Sequence, residues 1–338
     1  KIGSGTLTLT GTGNSLADVS AAGGNLVLAG NSTTTLSGSM NVANNGISSG
    51  SHGTLIVTNN ASLTVAGNFY MGNRSDKIGT ANQSGGTVTL NTSLGSGVRF
   101  GHWSGAEGNY TISGGTLNVL NTTSILGYNG TGTLNVNGGT ANLKGIQISR
   151  SSSAGNCSIT LGGGALNIGA IGIHDGTDPY SINLNSGSLG ALAGWSSSLG
   201  MTLGGSVDID TTWGNIGLSG DLTGAGGFTK IGTGTLTFSG SNAYDGETIV
   251  SGGVLVLAAG ASLNTANIVR INGTGQMNLD GSIDQTVEEL WIDGVQQYRS
   301  SWGSTSSGAA RKSNTYFVGS GILRVTSGPT PPTLFKFK

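Results

Sequence analysis

The chain has 338 residues, of which 64 are Gly and only 9% are charged, and its net charge is −1. Soluble domains usually carry about 25% charged residues, and here the few basic ones do not cluster, so the footprint of a nucleic-acid binder is missing. No apolar run approaches the roughly 18 residues of a membrane span, whereas apolar residues reach 35% and alternate regularly, unlike disordered Gly/Ser chain.

In chain order, strands are predicted from the start. Thr6-Leu7-Thr8-Leu9 follows Gly3-Ser4-Gly5, and Gly23-Gly24-Asn25-Leu26-Val27-Leu28 follows it. The chain opens at Lys1 without a signal peptide, as a processed form or a fragment would. The most regular stretch, 53–173, repeats one phrase: Gly85-Gly86-Thr87-Val88-Thr89-Leu90, Gly114-Gly115-Thr116-Leu117-Asn118-Val119, Gly138-Gly139-Thr140-Ala141-Asn142-Leu143 and Gly163-Gly164-Ala165-Leu166-Asn167-Ile168. The doublets lie 114 − 85 = 29, 138 − 114 = 24 and 163 − 138 = 25 residues apart, a near-constant period that signifies a solenoid. Period-two alternation after each doublet predicts a strand with one face buried, and the glycines supply the positive φ of a sharp corner. Asn118, Asn142 and Asn167 share one outward place and predict an amide ladder. Cys157 is single, which excludes an intrachain disulfide, and its parity with Ile159 and Leu161 predicts a buried structural thiol.

From 179 to 227 the period blurs, and coils of irregular length are expected. At 228–260 the N-terminal pattern returns: Lys230-Ile231-Gly232-Thr233-Gly234-Thr235-Leu236-Thr237-Phe238, then Gly252-Gly253-Val254-Leu255-Val256-Leu257. The segment 281–326 is richer in charge, with an Asp293-Gly294 turn and a closing Ile322-Leu323-Arg324-Val325 strand, and is expected to cap the open end of the repeats. Residues 327–338 form a Pro-rich spacer and a short tail strand, which either continues into further chain or adds as an edge strand to another surface.

The paired unit resembles the passenger-associated transport repeat of bacterial autotransporter passengers. The match rests on Lys230 to Phe238, Asn242-Ala243-Tyr244-Asp245-Gly246-Glu247-Thr248 and the Gly252-Gly253 strand, with a first copy at Lys1 that has Asn14-Ser15-Leu16 where Asn-x-Tyr is expected. The middle units are similar to the related repeats of type V secretion passengers and of secreted proteins with a PEP-CTERM sorting signal. The resemblance implies an all-β, right-handed parallel β-helix exposed on the bacterial cell surface or secreted, without cofactor. With a period of about 24 residues, residues 1–280 would make ~11 to 13 coils, ~55 to 60 Å in length.

Turns about fifteen residues after each doublet carry the candidate binding side chains. They read Met71-Gly72-Asn73-Arg74, Phe100-Gly101-His102-Trp103, Leu126-Gly127-Tyr128-Asn129, Ile148-Ser149-Arg150 and Ile171-Gly172-Ile173-His174-Asp175. Stacked coils would line Arg74, His102, Trp103, Tyr128, Arg150 and His174 along one edge, where aromatic faces and hydrogen-bonding groups could hold an extracellular glycan or a cell surface. Catalysis is not expected: residues 19–174 contain only Asp76 and Glu107 as acids, and Asp208 and Asp210, the best carboxylate pair, share the outward face of one strand. His52, His102 and His174 have no ligand-like spacing and the calcium-binding Gly-Gly-x-Gly-x-Asp pattern does not occur, so no metal site is expected. The expected function is a structural or adhesive surface protein, with a carbohydrate-binding or carbohydrate-cleaving β-helix as the alternative. Head-to-tail self-association is expected through the first coil, at Ile2, Leu7 and Leu9, and through the tail residues Leu334, Phe335 and Phe337.

Overall fold

The computed structural model describes residues 3–44, 52–92, 97–151, 155–175 and 179–330, with no side-chain detail for residue 175. Ile2, Leu334, Phe335 and Phe337 lie outside the described residues. No helix forms among those described, and the chain divides into two compact units, Lys1–Leu199 and Gly200–Lys338.

The first unit is a parallel β-helix with three columns of strands. One column stacks Thr6–Leu9, Gly24–Leu28, His52–Val57, Ile78–Leu90, Glu107–Val119, Thr131–Val136, Cys157–Asp175 and Tyr180–Ala191, every pair parallel. Its inward positions form a continuous apolar row: Leu26, Leu55, Ala81, Tyr110, Leu134, Ile159 and Ile182 are each at most 4% exposed. Each full-sized buried side chain contributes about 1.5–3 kcal/mol, and the period-two alternation follows because inward and outward places alternate along a strand. The Tyr110 hydroxyl donates to Gln83 Oε1 at 2.7 Å, and Gln83 Nε2 donates to the Thr116 carbonyl at 2.9 Å, so these buried polar groups are paired.

The glycine doublets are the corners between the first column and the second, which stacks Thr33–Leu36, Ser62–Val65 and the segments 87–90, 116–119, 140–143 and 165–168 that follow the doublets. Gly115 has φ +78°, and a Cβ there would lie 2.3 Å from the Gly86 carbonyl oxygen of the preceding coil. Left-handed geometry and close backbone approach thus both require glycine. The Asn ladder also forms: Asn142 Nδ2 donates to Asn118 Oδ1 at 3.0 Å, and Asn167 Nδ2 to Asn142 Oδ1 at 2.9 Å. Cys157 is buried, and its sulfur accepts from the Gly132 amide at 3.3 Å.

The third column stacks Val19–Ala21, Met40–Val42, Phe69–Met71, Val98–Phe100, Ser124–Leu126, Thr140–Ile148 and Cys157–Asp175. Phe69 and Phe100 of this column meet Tyr110 of the first, with ring centroids 5.8–6.4 Å apart.

The second unit has shorter coils. Ser206–Asp210, Gly227–Ile231, Thr248–Val250, Ile268–Ile271 and Glu289–Ile292 stack in parallel, with successive partners 20 or 21 residues apart, as in Ser206 against Gly227 and Phe228 against Thr248. The expected irregularity over 179–227 is therefore a change of period: Tyr180–Ala191 still pairs with the strand before it, and the shorter coils start soon after. Among the described residues, antiparallel pairing is seen near the C-terminal part of this unit. Glu289–Ile292 folds back on Val295–Gln296 through the Asp293-Gly294 turn, and Ser301–Gly303 runs antiparallel to Ile322–Val325, which pairs with Asp284–Val287.

A cation and aromatic cluster on the first unit

After the third-column strands the chain turns out of the sheet through one residue in left-handed conformation. That residue is Gly72, Gly101, Gly127 and Ser149 in four successive coils, at φ +62°, +67°, +73° and +52°. The following residues, Asn73, His102, Tyr128 and Arg150, stack in register: the Tyr128 amide donates to the Gly101 carbonyl at 3.1 Å and the Arg150 amide to the Gly127 carbonyl at 2.9 Å. Arg74 and Trp103 are one residue further along, with the Arg74 guanidinium 5.9 Å from the Trp103 ring centroid.

The turn residues are joined by two side chains that the spacing of the doublets did not single out. Tyr70 and Arg99 occupy the outward places of Phe69–Met71 and Val98–Phe100 and are paired in register. Arg99 stacks 3.7 Å above the Tyr128 ring and 5.6 Å from that of Tyr70, and Arg150 lies 4.7 Å from the same Tyr128 ring. Arg99 Nη1 is 2.7 Å from His102 Nε2, and His102 Nδ1 is 2.5 Å from Asn73 Oδ1. A guanidinium only donates, so Nε2 accepts, the imidazole proton sits on Nδ1, and it is donated to Asn73. Asn73 Nδ2 in turn donates to Asn41 Oδ1 at 2.7 Å, completing a relay along the coils. Burial, followed by the Arg99 charge, lowers the His102 pKa to about 4, so the ring is neutral at physiological pH. The signal for Tyr70 and Arg99 was present in the triplets Phe69-Tyr70-Met71 and Val98-Arg99-Phe100, each followed by Gly, where an outward residue stands between two inward ones.

His174 does not join this row. The register sets it against Gln147, three residues before Arg150. The cause is a longer corner: Leu143 and Gly145 pair with Ile168 and Gly172, so one intervening residue on one coil faces three on the next, and the Ile171-Gly172 pair expected at the turn lies inside Cys157–Asp175, at the entry to its third-column pairing.

The second unit shows what the repeated motif does. Lys230 is fully buried, and its Nζ donates to Thr211 Oγ1 at 2.8 Å and to the Gly252 and Gly232 carbonyls at 2.7 and 3.2 Å. Tyr244 packs with Phe228, which packs with Phe238, and the Tyr244 hydroxyl pairs with Thr248 Oγ1, which donates to Asn267 Oδ1 at 2.7 Å. Asn242 closes its corner through Nδ2, which donates to the Gly240 and Ser262 carbonyls at 3.1 and 3.0 Å. Residues 1–18 and 228–257 match the passenger-associated-transport-repeat family. The chain carries passenger-associated transport repeats. A 124-residue stretch, 36% of the chain, is 32% identical to the adhesin BmaC autotransporter of Brucella suis biovar 1 (strain 1330), of which it covers 3%. The resemblance to autotransporter passengers therefore holds, and the chain spans a small fraction of this relative's length. No solved structure matches the chain.

In the first passenger repeat, Asn14 fills the corner role of Asn242: its Nδ2 donates to the Gly11 and Thr33 carbonyls at 2.8 and 3.2 Å. Leu16 stands where the second repeat has the buried Tyr244, and it is 39% exposed. Leu7 is 44% exposed, and Leu7, Leu9 and Leu16 help line an open apolar cavity of about 280 Å³. Asp208 and Asp210 lie on one strand of the second unit. Burial and the Asp210 charge raise the Asp208 pKa, and Asp210 Oδ1 accepts from the Thr212 amide at 2.8 Å, so it fastens its own turn. Among the described residues no group of three His, Cys, Asp or Glu side chains could hold a metal ion.

Proposed function

We propose that this chain is an adhesive passenger segment displayed outside a bacterial cell, and that it acts by binding rather than by catalysis. The observation that carries the reading is the row Arg74, Trp103, Tyr128 and Arg150, held at fixed spacing on four coils whose backbone is already paired. The similarity to an adhesin supports it. A side chain fixed by its own stacking loses little entropy on meeting a partner, which favours recognition. The test is adhesion of beads coated with the purified chain to cultured cells. Saturable binding above albumin-coated beads is expected; binding at the albumin level overturns the proposal. Release of reducing ends from a polysaccharide that disappears in Asp208→Ala/Asp210→Ala would overturn the non-catalytic part.

A second copy covering the apolar cavity at Leu7 and Leu9 is a separate proposal, supported by the exposure of Leu7 and Leu16. Sedimentation velocity decides it: concentration-dependent association that Leu7→Glu abolishes is expected, and a monomer at all concentrations overturns it.

A further inference from the structure

Arg74, Arg99 and Arg150 bring three positive charges to one edge of the first unit. The ion pairs of Arg270 with Glu247 and Arg324 with Asp284 are elsewhere, in the second unit. Asp76 and Glu107 are close in sequence, but neither pairs with these arginines. The aromatic rings are already committed to the cations: Tyr128 has Arg99 and Arg150 at 3.7 and 4.7 Å, and Trp103 has Arg74 at 5.9 Å. Such stacking holds a guanidinium in place without neutralising it. Arg99 Nε is shielded from solvent and has no hydrogen-bond partner, so any contact of Arg99 with an outside group falls to its terminal nitrogens.

We propose that this edge binds an acidic polysaccharide whose carboxylate or sulfate groups are taken by Arg74, Arg99 and Arg150 as the chain runs along the coils. The inference rests on the adhesive reading and names its ligand class. A polymer is favoured over a single anion because the three arginines come from the first, second and fourth of four successive coils, which spans about 14 Å at ~4.8 Å per coil. One coil spacing is comparable with the advance of one sugar ring in an extended polysaccharide. Between the charged groups stands Trp103, which remains 46% exposed beside Arg74 and offers ring surface that suits a sugar face better than an acidic peptide or a nucleic acid.

The experiment measures retention of the full chain on four immobilised polymers across a salt gradient: polygalacturonate, dextran sulfate, neutral dextran and poly-L-glutamate. Retention on polygalacturonate alone assigns a carboxylate ligand, on dextran sulfate alone a sulfate ligand, and either supports the site provided that poly-L-glutamate elutes at lower salt. Arg74→Gln and Arg150→Gln, at exposed positions, are each expected to weaken binding roughly tenfold with unchanged melting temperature, and Arg99→Gln to weaken it further. Equal retention on poly-L-glutamate, equal retention on neutral dextran, or unchanged affinity in Arg74→Gln/Arg150→Gln overturns the assignment. Beads that adhere to cells while the chain retains none of these polymers overturn the ligand and leave adhesion standing. Arginine-dependent retention without adhesion supports the site and overturns the adhesive reading.

Discussion

Lys230 is a lysine with no exposed surface, and four acceptors surround its ammonium group. Burial lowers its pKa to about 8, opposed by the Asp210 charge. An unfolded lysine titrates at about 10.4, so between pH 8 and that value the unfolded chain binds more protons than the folded one, and stability rises with pH across the window and is flat below it. Denaturation midpoints at pH 7.5 and pH 10 should show this rise, and Lys230→Met should abolish it while lowering stability at pH 9 by about 1–3 kcal/mol through the unpaired carbonyls. His102 gives a second window. Its pKa of about 4 is depressed from 6.5, so the unfolded chain takes up the proton first as pH falls, and stability declines from pH 6.5 to pH 4. Thermal melts over that range should show a decline that His102→Gln reduces. Lys230 was marked by its place in the repeated motif; the partners of His102 were not, because Arg99 and Asn73 reach it from a strand and from another coil.

At the scale of the element, the corners and the Asn ladder were readable because each depends on local identity. A glycine doublet before an alternating strand states the turn, and one Asn per period states the ladder once the strands stack. Gly115→Ala should cost about 1–3 kcal/mol from its left-handed φ alone, and more from the 2.3 Å approach to the Gly86 carbonyl, measured by chemical denaturation. Asn142→Leu removes both ladder bonds and leaves Asn118 and Asn167 short of a partner, an expected loss of about 1–2 kcal/mol by the same measurement. The row of turns was readable for Arg74, His102, Trp103, Tyr128 and Arg150 and failed for His174, where the corner on its coil holds two additional residues.

At the scale of the whole molecule, the two units use different coil lengths, from 22 to 29 residues between paired strands beyond the first coil in one and from 19 to 22, as far as Ile292, in the other. The antiparallel strands near the C-terminal part of the second unit cover edges that parallel stacking leaves open. Truncation after Asp280 should therefore expose Ile268–Ile271 and Gln276–Leu279 and give a chain that aggregates, seen as a rise in light scattering relative to the full chain.

The sequence by itself determined that this protein is a stack of strands with glycine corners and an outward amide ladder, because alternation and turn chemistry are properties of neighbouring residues. Only the tertiary structure decided which side chains meet across coils. Coil lengths vary by several residues, and each additional corner residue shifts every later position against its neighbours, so the meeting of Tyr70, Arg99, His102 and Tyr128 is a consequence of register that no single repeat contains.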